Sequence, residues 1–336
     1  MNDASKFRPM SIVNLTPGLV ERGKIKIGKK GASRQSQGGG TYQMPQKLDH
    51  FIVTTTERGQ DGNFLPDHKI MERLGSSPRR IPVRMIYDDI PLNFSSRYAS
   101  YSGKTLACTG NGSEAKRLDA KGNWTMCPCP CPRQEPTYQG KDKCKITGTL
   151  SAVIDGAGVV GGVWKLRTTS YNTVVGILSS LAMIQRITGG RLAGVPLSLV
   201  LTPKTVQDPI QGNQQTIYVV SLEFEGSVEQ LRERGYQAML EDKQHGARIE
   251  ALEDQARQLL ADRTDEYEED AEDIVDEFYP EAAIEEERQE RRTFVSEPEP
   301  AVEPEPAPEP RQRKKPEPQP DIPPAPPADD GLEDVF

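Results

Sequence analysis

The sequence predicts an α+β protein built on an antiparallel sheet with one packed helix. Three observations carry this. Short runs rich in Val, Ile, Thr and aromatic residues recur between turn-forming Gly, Pro, Asn and Asp. The stretch from Val174 to Ile187 places Val174, Ile177, Leu178, Leu181, Ile184 and Ile187 at helical spacing. From Thr149 to Phe224 the order reads β-β-α-β-β, which suits one helix lying on one face of a layer.

Residues 1–20 are mixed, are punctuated by Pro9 and Pro17, and lack a charged-then-apolar leader. Glu21–Lys30 (ERGKIKIGKK) alternates Lys with Ile, the pattern of a half-buried strand with one basic face. Residues 31–40 are Gly, Ser and Gln with Arg34, and read as a flexible loop. Lys24, Lys26, Lys29, Lys30 and Arg34 are candidate phosphate contacts. The alternative is a merely solvated face.

Lys47–Thr56 is a strand by its β-branched content. Asp67 caps a short helix that Gly75 ends. Arg79 and Arg80 lead into a strand, Ile81–Tyr87, where Pro82 marks an edge or a start and Arg84 adds a further cation. These three arginines join the candidate nucleic-acid contacts. Asp88 and Asp89 read as a turn or solvated pair, because adjacent acids on an extended chain point opposite ways. Tyr98 and Tyr101, with Arg97 and Lys104 interleaved, suit base stacking beside phosphates; hairpin aromatics are the alternative.

All five cysteines fall within the 37 residues Cys108–Cys144. The centre, Cys127-Pro128-Cys129-Pro130-Cys131-Pro132, excludes a helix interior and predicts a stiff, irregular loop that presents sulfurs. An odd count argues against a disulfide framework, and clustering argues against plain packing. The expected ligand is a structural Zn2+ held by Cys108, Cys127, Cys131 and Cys144, with Cys129 as alternate. No His lies in the segment, since His50, His68 and His245 are elsewhere, so a catalytic zinc is disfavoured. Trp124, Lys141, Lys143 and Lys145 lie in or beside this loop and complete the candidate nucleic-acid set.

Gly156-Ala157-Gly158-Val159-Val160-Gly161 has the spacing of a dinucleotide-binding loop. A strand pattern follows it, however, and no acid appears between Asp155 and Asp208, so a hairpin turn is expected. Ser170 is the expected N-cap of the helix, and Gly189-Gly190 stops it.

The charge is split. Residues 1–225 hold 29 Lys/Arg and 17 Asp/Glu, a net of +12; residues 226–336 hold 13 and 33, a net of −20. A basic body suggests nucleic acid, and an acidic tail suggests solvation or recruitment. The expected organisation is a body over 1–226 with the Cys-rich loop 108–144, an acidic helical segment over 227–292, and a disordered Pro/Glu-rich tail over 293–336. Ile249, Leu252, Ala256, Leu259 and Leu260 mark a narrow apolar stripe in the middle part. The end, Asp329, Asp330, Gly331, Leu332, Glu333, Asp334, Val335 and Phe336, resembles the tips of single-strand-binding proteins. Such tips place a terminal aromatic and its acids in a basic partner pocket. No apolar run reaches membrane-spanning length, and a cytoplasmic location is expected.

Gln139–Lys145, Thr149-Leu150, Gly162–Ser170 and Gly189–Leu197, together with Gly23–Gly28 and the Lys47 strand, are similar to the phage recombination directionality factor-like proteins. The resemblance spans roughly residues 8–226. Members are often labelled "hydrolase or metal-binding protein". What it implies is a non-enzymatic accessory of phage DNA recombination. Some members bind a large serine integrase on its DNA and switch it from integration to excision, which needs only preferential binding to one arrangement. Two other functions stay open: a single-stranded DNA-binding replication or repair protein whose tip recruits partners, and a zinc-dependent hydrolase. The expected partners are accordingly DNA, single-stranded or integrase-bound, and a serine integrase or replication and repair proteins.

Overall fold

The computed structural model describes residues 19–35, 41–135, 137–138, 140, 142–207, 214–244, 253–254, 256–257 and 271–279. Strand β1 (Glu21–Gln35) pairs antiparallel with β2 (Thr41–Arg58), and the short β3 (Phe64–Pro66) returns along β2. Helix α1 (His68–Leu74) starts where Asp67 accepts the Ile70 N–H, and it ends at Gly75, as the capping residues predict. Strand β4 (Arg80–Arg84) and the one-turn α2 (Ile90–Asn93) follow. A meander comes next: β5 (Phe94–Ser102), β6 (Thr105–Gly110), β7 (Glu114–Leu118) and β8 (Trp124–Pro128). A 3-10 turn at Pro132–Gln134 leads into the hairpin of β9 (Lys145–Ile154) and β10 (Val163–Thr168). Helix α3 (Tyr171–Ile187), β11 (Pro196–Gln207), β12 (Gln214–Glu223), α4 (Val228–Gln244) and α5 (Ala271–Phe278) complete the described chain.

The architecture is mixed α+β and rich in sheet. The main path runs β3-β2-β1-β10-β9-β5-β6-β7-β8. It branches at β9, where β5 takes Lys145–Leu150 and β4 takes Val153 and Ile154. From β4 a second leaf continues through β11 to β12. Helix α3 packs between the leaves, burying Val174, Ile177, Leu181 and Ile184 against Phe94, Leu150, Val220 and Leu222 in the main core. Ser170 caps this helix as expected, accepting the Thr173 N–H, and the glycines at 156–161 form the β9–β10 turn rather than a cofactor loop.

Several expectations need correction. The sheet is not wholly antiparallel, because Glu21–Ile25 of β1 run parallel to Val163–Leu166 of β10. Residues 31–35 are strand, with Arg34 opposite Tyr42, so the flexible loop expected over 31–40 does not begin at 31; 36–40 lie outside the described residues. The β9–β10 and β11–β12 hairpins are not neighbours, since β4 stands between them. The cysteine segment is not one loop, for Cys108 lies on β6 and Cys127 on β8. Lys24 does not sit on a solvated face; it is 5% exposed, close to the 2% of Ile25.

The expected single packed helix has company. Helix α4 lies on the end of α3 through Leu231 and Gly235, where a β-carbon on Gly235 would meet Thr188 Cβ at 2.7 Å. Of the Ile249–Leu260 stripe, only residues 253, 254, 256 and 257 fall among the described residues, all helical.

Asp88 and Asp89 do structural work. Asp88 accepts the N–H groups of Leu192 and Ala193 at 2.8 Å and pairs with Arg191, which fixes the approach to β11. Asp89 pairs with Arg257 and precedes α2. Buried Asn93 uses both ends of its amide, accepting from Ile86 N and Tyr87 N and donating to Tyr87 O and Asp89 O. No helix among the described residues is long and apolar enough to cross a membrane.

Candidate nucleic-acid interface

The alternation in β1 puts Lys24 and Lys26 on one face, and β3 delivers Phe64 beneath them. The Lys24 ammonium lies 4.4 Å from the centre of the Phe64 ring, Lys26 5.1 Å, and the Arg58 guanidinium of β2 4.8 Å. Three cations around one aromatic ring begin a cavity of 420 Å3. Its lining carries six cations: Lys26, Lys29, Lys30, Lys47, Arg58 and Arg167. Thr168, Thr169 and Ser170, at the start of the 17-residue α3, add hydroxyls and the positive end of a helix. The lining holds two acids, Asp273 and Glu277, and both belong to α5.

One wall is held by a buried charge cluster. Glu21, with its side chain 14% exposed, takes a two-point contact from Arg167 at 2.8 and 3.3 Å, and ion pairs from Lys24 at 3.2 Å and Lys165 at 3.4 Å. Burial alone would raise the Glu21 pKa; Arg167, Lys24 and Lys165 together bring it down to about 2. The carboxylate joins β1 to β10 where the two run parallel.

Helix α5 closes the cavity from the other side. Asp273 pairs with Lys24 and Arg58, and Glu277 pairs with Lys26 at 2.8 Å. Its opposite face buries Ala271, Ile274, Val275 and Tyr279 against Ala99, Tyr101 and Leu106, with Trp124 packed alongside. The Tyr101 and Tyr279 rings are 4.9 Å apart, and the Tyr279 hydroxyl donates to Ala99 O at 2.9 Å. Lys145 donates to Phe278 O at 2.7 Å and lies over the Tyr279 ring. Burial raises the Tyr279 hydroxyl pKa well above that of an ordinary phenol.

The structure thus gathers Lys26, Lys29 and Lys30 on one rim, with Lys24 buried behind them, and puts Lys145 under the end of α5. Tyr101 is 1% exposed beneath Tyr279. Tyr98 is packed instead against the cysteine patch. Arg79, Arg80 and Arg84 stand apart, on or just before β4, each beside an acid: Asp49, Glu223 with Glu225, and Asp155. Lys143 is half-buried beside Cys144. Lys141, the Arg34 side chain and the tip Asp329–Phe336 lie outside the described residues. Sequence reasoning missed Lys47, Arg58, Phe64 and Arg167, which only the strand pairing brings together. It also passed over α5, although Ala271, Ile274, Val275 and Phe278 keep helical spacing.

The cysteines meet through strand register. Cys108 faces Arg117 across β6–β7, and Cys127 faces Ala115 across β7–β8, which places both on one side of the meander. Cys129 lies over Gly110, where a β-carbon would meet its sulfur at 3.0 Å. Gln134 Nε2 donates to the Cys129 sulfur at 3.1 Å, and Arg117 donates to that of Cys131. Burial pushes the Cys144 thiol up to about 12, and Cys108, Cys131 and Cys129 add to the rise. Burial also raises Cys108, against the pull of Arg117 and with the push of Cys127 and Cys131. All five are free thiols. Such a donor set, without His, fits a thiophilic divalent metal. Among the described residues, however, no three Cys, His, Asp or Glu side chains are grouped as ligands to one ion.

A family model described as Gp3-like, recombination directionality factor-like, matches residues 22–225. No curated protein matches the chain, and no solved structure matches it. The matched span holds all of β1 after Glu21 and every strand through β12, and so the whole cavity wall except α5.

Proposed function

The chain belongs to the Gp3-like, recombination directionality factor-like family, and we propose that it serves phage DNA recombination by contact alone, with no chemistry of its own. In this reading the basic cavity receives DNA phosphates within an integrase–DNA complex, and binding to one arrangement of that complex sets the direction of recombination. The observation that carries it is the cavity lining: apart from α5, it presents six cations and no acid. The test pairs the full chain with the large serine integrase of the same phage and DNA carrying the integration-product sites. Added protein is expected to start excision and to shift the integrase–DNA complex in a gel. Unchanged direction and unchanged mobility would falsify the reading.

We also propose that Cys108, Cys127, Cys131 and Cys144 hold one structural Zn2+, with Cys129 as the alternate ligand. The metal would tie β6 and β8 to the start of β9, where, among the described residues, the apolar cluster buries Cys108, Ala115 and Cys129 with Tyr98 and Cys127 packed against them. Protein purified without chelator is expected to carry close to one equivalent of zinc, and chelation is expected to lower its melting temperature. Metal content under about half an equivalent rejects the site.

A further inference from the structure

Helix α5 brings to the cavity the two things that a bound nucleic acid would bring. Its carboxylates stand among the lysines and Arg58 as phosphates would. Its Tyr279 ring lies against Tyr101 as a stacked base would. The helix is eight residues long, too short to be stable alone, so its place depends on these contacts. It also falls outside the span matched by the family model, whose own residues supply every cation of the lining. Lys29 and Lys47, exposed on the rim, make no ion pair with α5 or with any other described residue. The cavity therefore keeps an excess of positive charge even while α5 is seated.

We infer that α5 is a built-in competitor for the cavity, which must lift from Lys24, Lys26, Arg58 and Tyr101 before nucleic-acid phosphates can enter. This inference rests on the proposed DNA-binding role and adds its regulation. With α5 seated in most molecules, the apparent affinity for DNA falls by the fraction of molecules that are open. An acidic segment fits this part because it repels DNA once displaced and so does not hold the ligand it has released.

The experiment measures fluorescence anisotropy of labelled oligo-dT and of a labelled duplex with the full chain. It compares wild type with two variants, Asp273→Asn/Glu277→Gln and Tyr279→Ala. Both variants are expected to bind at least about tenfold more tightly than wild type. Glu229→Gln/Glu233→Gln makes the same change in net charge on exposed α4 and is expected to stay near wild type. Equal affinity of wild type and both α5 variants overturns the inference while leaving DNA binding in place. No binding by any of these proteins at low salt removes the DNA-binding role itself, and the inference with it. Hydrogen exchange over residues 271–279 gives a second readout. If an acidic amphipathic peptide releases α5 and neither DNA does, the groove belongs to a protein helix and the inference fails.

Discussion

Glu21→Gln is expected to lower the free energy of unfolding by about 3 kcal/mol at neutral pH, read from the urea midpoint. The amide keeps the shape but leaves Arg167, Lys24 and Lys165 without their shared anion, and all three are less than a tenth exposed. Breaking a buried ion pair by removing one partner costs about 3–5 kcal/mol. A carboxyl pKa lowered from 4.5 to about 2 corresponds to roughly 3 kcal/mol of linked stability. The folded pKa lies below the unfolded one, so this stability is fully present above about 4.5 and is lost as pH falls through about 2. The gap between wild type and variant should accordingly be wide at pH 7 and narrow toward pH 2. A gap that does not change with pH would mean that the carboxylate charge is not what Glu21 contributes.

Charge reversal at Lys29 and Lys47 is expected to weaken DNA binding by about a hundredfold at low salt and to reduce the slope of log affinity against log salt by about 2. Both side chains are exposed on the cavity rim, and neither has an ion-pair partner among the described residues. The melting temperature should therefore hold. That separates them from Lys24, whose burial against Glu21 and Asp273 makes any substitution there a test of folding first. Unchanged affinity with Lys29→Glu/Lys47→Glu would take the cavity out of DNA binding, whatever else the protein binds.

Local chemistry made much of the fold legible. Asp67 and Gly75 bound α1, Ser170 caps α3, and the glycines before Val163 turn a hairpin, because each signal acts within a few residues of itself. Partner choice between strands was not legible. Period-two alternation separates the Lys face of β1 from its Ile face and says nothing about β10 lying beside it, which is why the burial of Lys24 was not legible. The candidate interface suffered for the same reason. Lys24 and Lys26 stood out as a basic run, whereas Phe64, Arg58 and Arg167 reach them only through that pairing. The cysteines were found by their clustering, but their common side of the meander is a matter of register. Helix α5 was hidden by composition. Its acids mark it as solvated, and its apolar stripe of Ile274, Val275 and Tyr279 has meaning only against Tyr101 and Leu106.

The parallel pairing of β1 with β10 imposes an order on synthesis. Glu21 meets Val163, so β1 leaves the ribosome 142 residues before this partner exists. Until then β1 can pair only within the small β1–β2–β3 sheet, with Ile25, Phe51 and Val53 lacking most of the core that later covers them. Such distant pairing is slow to form and leaves an apolar edge open meanwhile. The lysines along β1 guard that edge during the wait, since like charges on two nascent copies repel before their strands can pair. The same lysines that later face the cavity thus first protect an unfinished sheet.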